Sequence, residues 1–176
     1  MRTRAVFAVT TLFVSVAGVA LVASPAYAVD TPVTVQVEGG ALTISAPVAP
    51  VVAPVITAGV DAQTVEFELG TVTVGDNIGG TAGWGVSVSV ADLVADEGVG
   101  TLPVAGGSYT PGVITADGIV TTTGTVSTTL ATATTVATGT AASGVNSASW
   151  NPVIGLAVPA GALAGTYTST VVHSLI

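Results

Sequence analysis

The sequence predicts an all-β protein, an antiparallel β-sandwich of the Ig-like, Greek-key type with about seven to ten strands. Short runs of alternating β-branched residues recur along the chain, and clusters of Gly, Asn and Asp separate them. No stretch after residue 28 has the 3.6-residue periodicity of an amphipathic helix. Because alternation places every second side chain on the same face, such runs are typical of half-buried strands in antiparallel sheets.

The N-terminal segment, residues 1–28, has the features of a secretory signal peptide. Two arginines lie within Met1–Arg4, a mostly apolar run covers Ala5–Val22, and Ala26–Ala28 matches a signal-peptidase site. An uncleaved membrane anchor is the alternative, since the apolar run is close to the length of a spanning helix. Four polar or small residues dilute the run, which favours cleavage after Ala28. We therefore expect residues 29–176 to form a single secreted domain at the cell surface or cell wall.

The charge distribution excludes two classes of partner. Arg2 and Arg4 are the only basic residues apart from His173, so residues 29–176 carry ten acidic residues and no Lys or Arg. Such a surface repels phosphate groups, and we expect no binding to nucleic acid or to an anionic membrane surface. The chain has no cysteine, so no disulfide is expected despite the predicted export.

The first predicted strands lie between residues 33 and 68. Val33–Val37 alternates, Gly39 and Gly40 form a turn, and Leu42–Ser45 continues the pattern. Thr64–Glu68 also alternates, which predicts that its valine and phenylalanine share one face and its two glutamates the other.

A turn-rich segment, Gly75–Gly80, precedes a strand predicted over Trp84–Val90. The alternation places Trp84 and three valines on one face of this strand. Large aromatic side chains on valine-bearing faces are usually buried, so a core role is favoured over a ligand contact. The position at the start of the strand still leaves an edge of the indole close to the surface.

Two segments are unusual in composition. Ala46–Pro54 is apolar and interrupted by three prolines, which favours an irregular edge segment on the sandwich over a stiff linker. Residues 121–140 are rich in threonine. They lack the proline that is typical of sugar-modified stalks, so threonine-rich strands with one face in water are the plainer interpretation.

His173 is the only histidine in the chain and so the only imidazole base for nucleophilic catalysis. It shares parity with Tyr167, Val171 and Leu175, on the predicted inward face. No Gly-x-Ser-x-Gly segment accompanies it. A packed or edge histidine with one hydrogen bond is therefore the favoured interpretation, and no catalytic residue is predicted.

The carboxylates offer weak alternatives. A glycosidase would need an acid and a second carboxylate across a sugar-binding cleft, and Asp92–Glu97 or the pair Glu66 and Glu68 are the candidates. Solvated strand and loop positions explain them more simply. A calcium site at this cluster, or at Asp76 with Asn77, is chemically sensible, but the spacing fits no calcium loop. We predict no metal and no cofactor.

Two stretches together resemble the signatures of the WxL domain, a Gram-positive surface module. GDNIGGTAGWGVSVSVADL (75–93) is similar to the first signature, and VPAGALAGTYTSTVVHSLI (158–176) to the C-terminal one. Asn151–Pro152, directly after Trp150, fits the approach to the final hairpin. The chain departs from the family at Val86, where the family has leucine, and at His173, where the family's second tryptophan would stand. The resemblance is therefore to a divergent relative, of an actinobacterial type.

The resemblance implies a secreted, non-enzymatic domain that associates non-covalently with the cell wall, with peptidoglycan or a wall-associated component as partner. The candidate binding residues that follow from it are Trp84, Val86, Trp150, His173 and Leu175. A structural subunit that self-associates, or pairs with other surface proteins through strand edges, is the alternative. An exported, carboxylate-dependent glycan hydrolase is the weaker alternative.

Overall fold

The computed structural model describes residues 31–98 and 100–176. The predicted signal peptide and its cleavage site lie outside these residues. The chain divides into two compact units, Met1–Gln36 and Val37–Ile176. Every described strand belongs to the second unit. A search of the described residues finds no helix long and apolar enough to cross a membrane.

Twelve strands form in the described residues. They are β1 (Leu42–Ser45), β2 (Gln63–Glu68), β3 (Val72–Asp76), β4 (Trp84–Val90), β5 (Leu93–Ala95), β6 (Thr101–Leu102), β7 (Ser108–Thr110), β8 (Thr115–Gly124), β9 (Thr134–Trp150), β10 (Val153–Val158), β11 (Tyr167–Thr168) and β12 (Val171–Leu175). The alternating runs at β2, β4 and β12 are therefore strands, as the sequence predicts.

All strand pairs are antiparallel, and the strands form three sheets. The largest has the order β1-β3-β9-β4-β12, with β8 also paired to β9. It curves until β1 approaches β12, so that it is nearly closed and barrel-like. Two three-stranded sheets have the orders β2-β10-β7 and β11-β5-β6. The prediction of an all-β antiparallel fold is confirmed.

The strand number exceeds the predicted seven to ten because four strands are only two or three residues long: β5, β6, β7 and β11. Segments this short carry too little alternation to be recognised in the sequence. They are strands because a neighbouring strand supplies their hydrogen bonds.

Strand β9 organises the largest sheet. It has 17 residues, and its last five pair with β3, from Val72 opposite Trp150 to Asp76 opposite Asn146. Its first part pairs with β4, where Trp84 lies opposite Gly139. Strands β3 and β4 therefore both pair with the same long strand, β9.

Valine is the most frequent residue in the core of the second unit. Val72, Val74, Val86 and Val88 are fully buried, as is Tyr109, and both tryptophans are buried. On β2, Val65 is buried and Phe67 half-buried while both glutamates are exposed, which confirms the predicted alternation.

Of three further predictions from the sequence, one is wrong and two are confirmed. The predicted strand at residues 33–37 is wrong: no strand forms there, and Val33, Val35 and Val37 are 84%, 79% and 89% exposed. Alternation is a local pattern, and it does not by itself make a segment a strand, because strand formation depends on context. Ala46–Pro54 is irregular, as expected. The threonine-rich residues 121–140 form the end of β8 and the start of β9.

Candidate functional site

The two motif segments lie on neighbouring strands. Antiparallel pairing of β4 with β12 places Leu175 opposite Val86 and His173 opposite Val88. Val86 is fully buried, whereas His173 and Leu175 are half-buried. Residues separated by almost ninety positions in the chain are therefore adjacent on one sheet.

Trp84 is a core residue with 4% of its surface exposed, as the alternation predicts. Its indole lies against the backbone of Gly139 on β9. A Cβ atom at position 139 would lie closer to the ring atoms Nε1, Cε2 and Cζ2 than van der Waals contact allows. Gly139 is therefore required for the close approach of β9 to this side chain.

The indole N–H of Trp84 enters a buried polar network. Trp84 Nε1 donates to Asn146 Oδ1 at 3.2 Å, and Asn146 Nδ2 donates to Asp76 Oδ2 at 2.9 Å. The second carboxylate oxygen, Asp76 Oδ1, accepts the backbone N–H of Ile78 at 3.1 Å. Asp76 and Asn146 are both buried. Amide donors satisfy this carboxylate, and residues 31–176 contain no Lys or Arg that could pair with it.

A second network joins Trp150, Tyr109 and His173. Trp150 Nε1 donates to Tyr109 Oη at 2.9 Å, and Tyr109 Oη lies 3.0 Å from His173 Nε2. The two rings of Tyr109 and His173 meet edge to face, with centroids 5.7 Å apart. Which of Tyr109 Oη and His173 Nε2 donates in this bond depends on the tautomer of the imidazole.

Burial shifts the pKa of both titratable members of this network. It lowers the pKa of His173 below its usual 6.5. It raises the pKa of Tyr109 to about 12, against the smaller opposing effect of the hydrogen bond from Trp150. Both side chains are therefore neutral at neutral pH. The prediction that His173 is a packed histidine with one hydrogen bond is confirmed.

The carboxylates that could suggest hydrolysis are exposed, and two have structural partners. Asp92 Oδ1 accepts the backbone N–H of Val104 at 2.8 Å, and Glu68 Oε2 accepts Asn151 Nδ2 at 2.8 Å. Asp96 and Glu97 line a shallow cleft beside residues 163–166. Within residues 31–98 and 100–176, no group of three or more His, Cys, Asp or Glu side chains is placed to hold a metal ion.

The outward side of the motif strands carries no charge. On β12, Val172 and Ser174 point outward, and Ile176 follows with the same parity; Val172 and Ile176 are 48% and 67% exposed. Ser89 of β4 lies opposite Val172 and is half-buried, whereas Ser87, opposite Ser174, is buried. We call Val172, Ser174, Ile176 and Ser89 the motif strip. It combines hydroxyl and aliphatic groups.

The structure thus separates the predicted binding residues into two groups. Trp84, Val86 and Trp150 are buried, whereas His173 and Leu175 are half-buried beneath the motif strip. Sequence reasoning missed four residues that hold the two tryptophans: Asp76, Tyr109, Gly139 and Asn146. For Asp76, sequence reasoning considered a turn position and a calcium ligand, not a partner of Asn146. The partners of the other three are distant in sequence, so no local pattern could have identified them.

Comparisons of the chain with protein-family models, with curated proteins and with solved structures give no match.

Proposed function

We propose that the protein is a secreted, non-enzymatic surface domain that associates non-covalently with the cell wall, through peptidoglycan or a wall-associated component. The observation that carries the proposal is the adjacency of the two WxL-like segments on β4 and β12, with Leu175 opposite Val86. Segments that form one surface can act as one binding unit. The finer architecture, an Ig-like Greek-key sandwich of the WxL type, belongs to the same proposal.

The motif strip is the contact surface in this proposal. Sugar rings present aliphatic C–H faces and hydroxyl groups, and a ligand site for them needs both apolar and neutral hydrogen-bonding groups. Val172 and Ile176 offer the first, and Ser174 offers the second. Since residues 31–176 contain no Lys or Arg, the ligand is an uncharged sugar surface and not the phosphate of an anionic wall polymer.

The tryptophans support this surface from below and do not stack on the ligand. Trp84 is held by Asn146 and Gly139, and Trp150 by Tyr109. Tyr109 in turn contacts His173, whose strand carries the exposed side of the strip. Both indoles thus fix the position of β4 and β12 relative to β9. The histidine at the position of the family's second tryptophan keeps this link through Tyr109.

Co-sedimentation with purified, insoluble wall material tests the contact surface. We expect Val172→Glu and Ser174→Glu to weaken binding about tenfold, because a buried carboxylate without a partner opposes the contact, an effect of about 1.4 kcal/mol. Val113→Glu is the matched control, since Val113 is 86% exposed and lies outside every strand. Equal binding by the strip variants and the control would remove the strip from the proposal.

A structural subunit that self-associates through a strand edge is the second candidate function. The observation that favours it is the exposure of β8, whose ten residues are almost all exposed although the strand belongs to the largest sheet. The hydrolase alternative receives no comparable support, because Asp92 and Glu68 accept hydrogen bonds from structural donors.

A further inference from the structure

Strand β8 lies at an edge of the largest sheet. Among residues 31–98 and 100–176, β9 is the only strand that pairs with it. Its uninterrupted part is Ile119–Gly124, because Gly118 has a φ of 83° and, beyond the strand, Ser127 pairs with Tyr109. This part contains no charge and no proline. Such edges are templates for pairing with another strand.

The backbone groups of β8 alternate between β9 and the open side of the strand. Thr125, directly after β8, donates its N–H to the carbonyl of Val136 on β9 at 2.8 Å. The register with β9 is continuous back to Thr121, so every second residue bonds to β9 in the same way. The N–H and C=O groups of Val120 and Thr122 therefore point to the open side.

The other edge strands are less suited to pairing. Strands β1 and β12 approach each other where the barrel-like sheet nearly closes. Strand β2 carries the exposed carboxylates Glu66 and Glu68, which oppose edge-to-edge association. Strands β6, β7 and β11 have two or three residues each.

The distribution of charge favours a second copy of the chain at the β8 edge. All ten acidic residues lie at or before Asp117, and residues 118–176 contain no Asp, Glu, Lys or Arg. Because residues 29–117 contain no Lys or Arg either, two copies repel each other wherever surfaces with acidic residues meet. The edge formed by Ile119–Gly124 belongs to the uncharged part of the chain, so two copies can approach there at the lowest electrostatic cost.

The side chains of this edge are complementary to those of a second copy. Ile119, Thr121 and Thr123 share the exposed face of β8, and Ile119 is 65% exposed. A two-fold axis through Thr121 would place this residue opposite its counterpart and Ile119 opposite Thr123 of the second copy. Cross-strand pairs of β-branched side chains are favourable. The same axis would make Val120 and Thr122, whose backbone groups are open, the hydrogen-bonded pairs.

We propose that two copies of the protein form a closed dimer in which residues 119–123 of β8 pair antiparallel across a two-fold axis at Thr121. The inference rests on the second candidate function, self-association, and is independent of wall binding. The contact is isologous, so it closes with two copies and does not extend into chains. The two Asp117 residues lie about 27 Å apart in this dimer, at about 3.4 Å per residue, which exceeds the screening length of about 8 Å.

Sedimentation of the wild-type protein (residues 29–176), without wall material, tests this proposal. We expect a monomer–dimer equilibrium with no larger species as the concentration rises. Thr122→Pro removes a backbone N–H that points to the open side and leaves the bonds to β9 in place, so it should yield a monomer. Val55→Pro is the matched control, since Val55 is 97% exposed, lies outside every strand and should dimerise like the wild type.

The results of sedimentation distinguish failure of this inference from failure of the second candidate function. A wild-type monomer at high concentration would overturn both. A dimer that persists in Thr122→Pro would keep self-association but contradict pairing through β8. Species larger than a dimer would also contradict the proposed dimer, since an isologous contact closes.

A cysteine variant tests the position of the two-fold axis without a proline in the strand. The chain has no cysteine, so a single new thiol can react only with its counterpart. Thr121→Cys would place the two Cα atoms about 4.5 Å apart in a non-hydrogen-bonded pair, a distance that a disulfide can span. Oxidation should therefore link this variant into a dimer.

Thr123→Cys is the matched control for the cross-link. Its two thiols would lie about 14 Å apart along the paired strands, at about 3.4 Å per residue, which is too far for a disulfide. We expect Thr123→Cys to remain unlinked under conditions that link Thr121→Cys. Equal cross-linking of the two variants, or none in Thr121→Cys, would overturn the proposal.

Discussion

Trp84 and Asn146, 62 residues apart in the chain, are joined by a buried hydrogen bond from the indole N–H to the side-chain oxygen at 3.2 Å. The amide nitrogen of Asn146 in turn donates a hydrogen bond to Asp76. The network connects β4, β9 and β3 in the only part of the described core that holds a buried carboxylate. It fixes the start of the strand on which the first motif lies.

Asn146→Leu should destabilise the protein by at least about 3 kcal/mol. The change leaves the Trp84 N–H and one Asp76 oxygen buried without partners, and an unpaired buried group costs more when it is charged. Denaturant unfolding followed by tryptophan fluorescence measures the loss. Ser147→Ala is the control, because Ser147 is only half-buried and should cost less than about 1 kcal/mol. Similar losses in the two variants would show that the network contributes little.

Gly139→Ala should cost about 1–3 kcal/mol or more, because the added methyl group would overlap the indole of Trp84. We expect the near-ultraviolet circular dichroism of Trp84 to change as the ring is displaced. Gly80→Ala is the matched control, since a Cβ there meets its nearest neighbours at 3.8 Å or beyond. An unchanged spectrum and stability in Gly139→Ala would contradict the described packing.

Tyr109→Phe should destabilise the protein by about 1–3 kcal/mol with little loss of packing, since only the hydroxyl is removed. That hydroxyl accepts from Trp150 and shares a hydrogen bond with His173, so its loss leaves the buried Trp150 N–H without a partner. Thermal unfolding measures the effect, with Tyr167→Phe as the control. The Tyr167 hydroxyl makes an exposed bond to Leu163 and should matter less. A larger loss of stability in Tyr167→Phe than in Tyr109→Phe would contradict the prediction that the Tyr109 hydroxyl contributes more.

His173 should make stability fall as the pH decreases from 7.5 to 5.5. Burial lowers its pKa in the folded state, so the unfolded chain binds the proton first. The contribution of the neutral imidazole is complete above the unfolded pKa of about 6.5 and is lost as the pH falls through the folded value. The slope for one proton is at most about 1.4 kcal/mol per pH unit.

His173→Gln is the variant that tests the origin of this slope. Its amide group can still form a hydrogen bond with Tyr109, as donor or acceptor, but the side chain does not titrate. We expect unfolding measured at several pH values to show a shallower dependence in the variant. The chosen range lies above the ordinary pKa values of carboxyl groups, so their titration contributes little. An equal pH dependence of stability in both proteins would show that a group other than His173 causes it.

Much of the fold is predictable from local pattern, and much of the site is not. The parity of Trp84 with Val86 and Val88 predicts burial of the indole, and the parity of His173 with Val171 and Leu175 predicts its inward position. Both predictions are confirmed, because alternation is a property of adjacent residues.

The partners of these side chains could not be predicted, because they lie on distant strands. Asn146 reaches Trp84 only because β9 pairs with both β3 and β4. Tyr109 lies in a three-residue strand that shows no alternation of its own. The wrong strand at Val33–Val37 shows the opposite case: its local alternation is strong, yet no strand forms there.

The proposal of wall association is tested most directly by a binding isotherm of wild-type protein (residues 29–176) on purified, insoluble wall material. We predict saturable co-sedimentation that soluble peptidoglycan fragments compete away. Because residues 31–176 carry no Lys or Arg, binding should persist when salt is raised and when anionic wall polymers are removed. Recovery of all the folded protein in the supernatant, with every wall preparation, would contradict the proposed function.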